Sequence, residues 1–177
     1  RQMCIRDRSA IRWYKQNAAK LGVDPKRIIA GGGSAGGHIA LLATTNPGLN
    51  DPNDSKEYDT SVVAYLLFNP ALKPKKDMEV TFEKHIKAAM PPMIAFWGTQ
   101  DNWLTGWKSA CEKMQSLENE SIEWWTAQGQ SHAFFNKQPW KDLTIIAADK
   151  FLKKHGLIEG EVTLPAPENG VKLIKTL

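Results

Sequence analysis

The chain has 177 residues, 42% of them hydrophobic, 9% aromatic and 24% charged, which is enough apolar material for one core and short for two domains. This composition excludes intrinsic disorder, and a net charge of +4, from 23 basic and 19 acidic residues with no basic stripe, gives no reason to expect a nucleic-acid partner. The longest apolar run, near Met93–Gly98, falls far short of the roughly 18–20 residues that cross a bilayer, so no membrane span is expected.

Cys4 and Cys111 are too few for a disulfide framework or a cysteine-built zinc site, and no metal is expected. Back-translated, Gln2–Arg8 reads CAG-ATG-TGT-ATA-AGA-GAC-AGR, the transposon end used to prepare sequencing libraries. Residues 1–8 are therefore expected to be adapter-derived, with native sequence lost upstream of them. No apolar core follows these charges as it would in a secretory signal, and the compartment and the oligomeric state are left open.

From Ser9, a candidate cap, Ala10, Trp13 or Tyr14, Ala18 and Leu21 recur at helical spacing until Gly22. After the Asp24-Pro25 turn, Arg27–Ala30 reads as a buried strand ending in glycines, and Ala35–Thr45 as an apolar helix. Asn46–Thr60, rich in Asn, Asp, Pro and Gly, reads as a surface loop. Val62–Phe68 is apolar throughout, as a strand covered on both faces would be. Lys73–Ala89 is polar with a weak helical period, and Met93–Trp97 is the third strand. Trp107, Ala110, Cys111, Met114 and Leu117 form a helical stripe, Ile122–Ala127 the fourth strand, and Leu143, Ile146, Ala147 and Phe151 line a last helix. Strands alternating with helices predict an α/β fold: a mostly parallel sheet of about four strands with helices on both faces. The domain is expected over residues 9–158, and 159–177 is a tail with no assigned element.

The most informative string is Gly31–His38, GGGSAGGH. It contains G-x-S-x-G, with Gly32, Gly33 and Gly36 around Ser34, placed between a strand and a helix. A serine at so sharp a turn takes a strained backbone, needs small neighbours, and stands exposed at the carboxyl edge of the sheet. The N–H of Ala35, in the first helical turn, is placed to receive a developing oxyanion. The same letters satisfy G-x-G-x-x-G, but a dinucleotide loop would need an acid closing a second strand about 20 residues on. Asp51 and Asp54 lie near that distance in a loop with no strand before them, and no Lys follows the glycines as a Walker loop requires.

Serine is a weak nucleophile at neutral pH and needs a base and an orienting group. Of the four histidines, His38 falls in the helix below the serine, His85 in a polar stretch and His155 at a helix end. His132 follows the fourth strand at the edge that must also carry Ser34. Asp101 follows the third strand at the same edge. The order Ser34, Asp101, His132 is the nucleophile, acid, base order of an α/β-hydrolase. Trp103, Trp107, Phe134 and Phe135 lie near these loops in sequence and either line a substrate pocket or pack in the core.

Four blocks in this order, DPKRIIAGGGSAGGHIAL, LLFNPAL, PPMIAFWGTQD and GQSHAFFN, resemble the esterase/lipase type of α/β-hydrolase, including acetyl-esterase-like and hormone-sensitive-lipase-like members. The resemblance implies the C-terminal half of such a fold and a serine carboxylic-ester hydrolase without cofactor, acting on small acyl esters through an acyl-enzyme. It also implies that Ser34 is the nucleophile, Asp101 the orienting acid and His132 the base. Ala133 stands where the family commonly has glycine, and Trp103 where it usually has smaller residues. The H-G-G-G type motif that completes the family's oxyanion hole does not occur in the chain. A prolyl-oligopeptidase-like peptidase and a non-catalytic or inactive truncated hydrolase scaffold are the alternatives.

Overall fold

Five strands lie side by side in chain order in a computed structural model that describes residues 1–72, 80–119, 121–168 and 170–177. They are β1 (Ile29–Gly33), β2 (Ala64–Phe68), β3 (Met93–Gly98), β4 (Ile122–Ala127) and β5 (Ile174–Lys175). The first four are parallel, with Gly33 opposite Phe68, Phe68 opposite Phe96, and Phe96 opposite Trp125. Their carboxyl ends therefore share one edge of the sheet, where the turns after them collect. The helices are α1 (Gln2–Gln16), α2 (Ala18–Leu21), α3 (Ala35–Thr45), α4 (Leu104–Ser116) and α5 (Trp140–Lys154).

Side-chain alternation along the strands divides the core. Tyr65 and Leu67 on β2, with Met93, Ala95 and Trp97 on β3, point to one face and meet Leu41 and Leu42 of α3 and Trp107, Ala110 and Met114 of α4. Ala64, Ile94 and Phe96 point to the other face, onto Trp140, Ala148 and Phe151 of α5. Every residue of β3 is buried, which explains its unbroken apolar sequence. Full burial of one such side chain contributes about 1.5–3 kcal/mol.

Several elements differ from the sequence expectations. Strand β1 runs to Gly33 because Gly31, Gly32 and Gly33 pair in register with Leu66, Leu67 and Phe68, so these glycines belong to the strand as well as to the turn after it. The tail adds β5, a two-residue antiparallel edge strand against Trp125 and Thr126, too short to leave a period in the sequence. The expected helical stretch Lys73–Ala89 lies outside the described residues over 73–79, and beyond them it holds one short 3-10 turn, Glu83–His85.

Helix α1 departs furthest. Ser9 is not a cap: it sits inside the helix, its Oγ donating to the Ile5 carbonyl at 3.1 Å and to Asp54 at 2.8 Å. The inward side of α1 is basic. Arg8 is buried and donates to the carbonyls of Ala43 and Asn46 at the end of α3, at 2.5 and 3.2 Å, where a cation meets the negative end of the helix dipole. Arg12 bonds Asp54 at 3.0 Å and Asn50 at 2.6 Å, and Lys15 bonds Asp59 and the Ser61 carbonyl. Of the expected apolar stripe only Ala18 is buried, while Ala10, Trp13, Tyr14 and Leu21 are exposed. Tyr14, Val23, Ile28 and Ile39 line an apolar groove of about 680 Å³ beside β1.

The Asp59 carboxyl is held down from 3.8 to about 2, chiefly by the hydrogen bond from Lys15, with Ser61 adding to it. A carboxyl lowered in the folded state adds stability that is present above its unfolded value and lost as pH falls toward 2. Asp59→Asn is therefore expected to destabilise the fold at neutral pH, and the difference from wild type should shrink between about pH 4 and pH 2. Denaturant midpoints across that range check it, and a pH-independent difference would contradict it.

Candidate active site

Ser34 joins β1 to α3 with φ 52° and ψ −119°, a conformation an L-residue holds only when its surroundings impose it. Its N–H donates to the Phe68 carbonyl at 2.9 Å, and its carbonyl accepts from Ala71 at 2.9 Å and from His38 at 3.2 Å. The strand and helix approach closely at Gly32 and Gly37. Gly32 has φ 152°, and a Cβ there would lie 2.9 Å from the Gly36 carbonyl carbon; a Cβ on Gly37 would lie 2.6 Å from the Gly32 oxygen. At Gly36 a Cβ would meet nothing within 4 Å among the described residues, and at Gly33 it would run into the Phe135 ring at 2.5 Å. Ala35 opens α3, so its N–H belongs to the first-turn groups that have no partner inside the helix.

The structure brings Ser34, Asp101 and His132 together. His132 Nε2 is 2.8 Å from Ser34 Oγ, and Nδ1 is 2.8 Å from Asp101 Oδ2. A carboxylate only accepts, so Nδ1 carries the proton and Nε2 is the free acceptor that faces the serine hydroxyl. Asp101 sits in a tight turn, its N–H on the Gly98 carbonyl at 3.1 Å, and its Oδ1 accepts from the Trp103 N–H at 2.9 Å. Its side chain is 1% exposed and that of His132 is 34% exposed, so the carboxylate is enclosed while the imidazole opens outward. The histidine loop is tied to β3 by Gln100 N–H on the Gln130 carbonyl at 2.9 Å and by Gly129 N–H on Thr99 Oγ1 at 2.8 Å.

The remaining candidates divide. Trp103 packs edge-on against His132, centroids 4.6 Å apart, and Phe135 leans on Phe68 beside the turn at Gly33. Trp107 lies in the core against Trp97, and Phe134 is enclosed beside Trp140. His38 is half-buried in α3, where burial pushes its imidazole below the usual value, and His155 ends α5 against the Phe151 ring. Asp54 is engaged by Arg12 and Ser9. No group of three His, Cys, Asp or Glu side chains suited to a metal occurs among the described residues, and none of their helices is long and apolar enough to cross a membrane.

One residue of the site escaped the sequence reading. Asn69 directly follows β2, is fully buried, and donates from Nδ2 to Asp101 Oδ2 at 3.1 Å. A lone polar residue closing an apolar strand at the carboxyl edge is the signal that marks it.

The BD-FAE family model matches residues 3–65. Among solved structures, esterase 2 of Thermogutta terrifontis phosphonylated by sarin is 32% identical over 89% of this chain and 67% of its own, with a TM-score of 0.80. The chain belongs to the α/β-hydrolase esterase family. The tabun-phosphoramylated form of the same esterase is 34% identical over 89% of this chain and 66% of its own, with a TM-score of 0.83. The native form, from that Planctomycetes species, is 36% identical over 86% and 64%, with a TM-score of 0.76. This chain thus spans about two thirds of the length of these esterase structures. No curated protein sequence matches it.

Ala133, at the position where glycine is common in the family, has φ 63° and ψ 20°. The left-handed region costs a residue with a Cβ about 1–2 kcal/mol. Ala133→Gly should recover that strain and lose about 0.4–1 kcal/mol through the freer unfolded chain, leaving stability unchanged or raised. Ala147→Gly, inside α5, should instead cost about 1 kcal/mol. Equal destabilisation by both in chemical denaturation would contradict the strain.

Proposed function

We propose that the protein carrying this chain is a serine carboxylic-ester hydrolase that acts through an acyl-enzyme on esters of short acyl groups. The observation that carries this reading is the hydrogen-bonded series Ser34 Oγ, His132 Nε2, His132 Nδ1, Asp101 Oδ2, with 2.8 Å at each junction between residues. As Ser34 attacks the ester carbonyl, its proton passes to Nε2, and the imidazolium so formed is stabilised and oriented by Asp101. The proton then goes to the departing alcohol. In the second half-reaction, water gives a proton to Nε2 and attacks the acyl carbon, and as the acyl carbon–Oγ bond breaks Nε2 returns the proton to Ser34 Oγ and the carboxylic acid leaves. Ala35 N–H receives the oxyanion in both tetrahedral intermediates. The short-acyl preference draws support from the Thermogutta esterase, whose structures include propionate-bound and butyrate-bound forms.

The second oxyanion donor is assigned to residues of the protein outside these 177, because the chain contains no H-G-G-G string. Expressed by itself, the 177-residue chain should then turn over esters about 100- to 1,000-fold more slowly than the protein that carries it, the usual cost of one missing donor. Equal rates would refute that division.

The main test is made on the whole protein. Hydrolysis of p-nitrophenyl acetate, no cleavage of a prolyl anilide, and fluorophosphonate labelling confined to Ser34 are expected. Ser34→Ala should abolish labelling and lower kcat by roughly 10⁴-fold or more. Prolyl anilide cleavage would favour a peptidase, and absence of labelling a non-catalytic scaffold.

A further inference from the structure

The side chain of Asn69 sits where the acid and the base of the site meet. It is fully enclosed, its Nδ2 is 3.1 Å from Asp101 Oδ2, and the same nitrogen lies against Nδ1 and 3.3 Å from Nε2 of His132. Its Oδ1 is buried without a hydrogen-bond partner among the described residues. Nδ2 faces the carboxylate as an N–H donor faces an acceptor, whereas its contact with His132 Nδ1, which carries the proton, sets two donors together and is not a hydrogen bond. Burying an orphan carbonyl oxygen costs free energy, and what the position gains for it is the N–H delivered to the carboxylate.

Asp101 is therefore held by three donors on three segments of chain. Trp103 N–H fixes Oδ1, while His132 Nδ1–H and Asn69 Nδ2–H share Oδ2. The backbone of Asn69 is fixed independently, its N–H on the Phe96 carbonyl at 2.8 Å, so the amide approaches from a rigid strand end. Among the described residues, the ionisable groups hydrogen-bonded to His132 are Asp101 and the Ser34 hydroxyl, and Trp103 covers the ring from the side.

We propose that Asn69 is a positioning residue of the catalytic triad: its amide shares Asp101 Oδ2 with the His132 N–H, fixing the carboxylate and moderating its hold on the imidazolium. The inference rests on the ester-hydrolase reading and extends it to a residue that never touches the substrate. Removing the amide leaves the carboxylate freer to turn and concentrates its charge on the imidazole N–H. Catalysis should slow, and the protonated imidazole should persist to higher pH.

Asn69 also has φ 39°, which Asn tolerates better than most residues, so a purely conformational role must be separable. Glycine accepts that backbone and lacks the amide, whereas alanine lacks both advantages. In the whole protein, Asn69→Gly and Asn69→Ala should both lower kcat for p-nitrophenyl acetate about 10- to 100-fold, with KM within about twofold of wild type. The acidic limb of the kcat/KM profile should move up by roughly half a pH unit or more in both. Alanine alone should lower Tm further.

Chemical-shift titration of the His132 ring in wild type and Asn69→Gly follows the same displacement without any substrate. It therefore reads the role of Asn69 even if the ester-hydrolase reading fails through an active Ser34→Ala. Wild-type kcat in Asn69→Gly, or an unmoved His132 titration curve, would confine Asn69 to the turn and overturn the proposal.

Discussion

The site depends on the clamp between the turn at Ser34 and the end of β2. Ser34 N–H donates to Phe68 and Ala71 N–H donates back to Ser34, so two consecutive strand ends are locked at 2.9 Å on either side of this serine. Asn69 N–H extends the clamp to Phe96 on β3, the strand whose continuation carries Asp101. Parallel pairing then does the rest. Because β1 to β4 all run the same way, each following turn emerges at one edge, and residues 98 positions apart in sequence, Ser34 and His132, come within hydrogen-bonding distance. A serine at φ 52° would relax if either neighbouring hydrogen bond were absent, since nothing in its own chemistry favours that conformation.

A second anchoring system keeps the long connection between α3 and β2 in place. A structureless connection of this length is uncommon in a compact domain, and it needs fixed points. Arg8, Arg12 and Lys15 supply them from one side of α1, reaching Asn50, Asp54, Tyr58, Asp59 and Ser61. The same Arg8 satisfies carbonyls at the end of α3, which has no glycine to cap it. Helix α1 thus acts as a polar brace, and Ala10, Ile11 and Tyr14 face the groove beside β1.

What could be read from the sequence follows from this arrangement. Strands β2 and β3 were legible because packing on both faces forces unbroken apolar runs, and β4 because its large apolar residues outweigh Glu123 and Thr126. Helices α3 and α4 were legible because one side packs on the sheet. The proposed site residues Ser34, Asp101 and His132 were legible because each lies in the turn after a strand and the order of the three is distinctive. Helix α1 misled because its inward side is basic: periodicity of Trp13, Tyr14 and Leu21 marks a face, but burial went to charges whose partners lie more than 30 residues away. Strand β5 was invisible because two residues carry no period. Trp107 and Phe134 were grouped with Trp103 and Phe135 by proximity in sequence, and only the direction of each side chain separates core from site. Asn69 was missed because a polar residue before proline reads first as a turn.

Backbone strain points to the same place as the hydrogen bonds. Among the described residues, four non-glycine residues have positive φ: Ser34, Asn69, Glu118 and Ala133. Three of them stand at or beside the site, after β1, after β2 and next to His132. Each such position costs on the order of 1–3 kcal/mol and persists only where the surroundings determine it more strongly than its own preference. At Ser34 the strain lifts the hydroxyl out of the sheet toward His132. At Asn69 it accompanies an amide turned into the carboxylate rather than out to solvent, and at Ala133 it bends the chain so that His132 can return over the sheet edge. A loop free to choose its conformation would relax at all three, so their coincidence around one hydrogen-bonded series argues that the fold spends stability to keep Ser34, Asp101 and His132 in register.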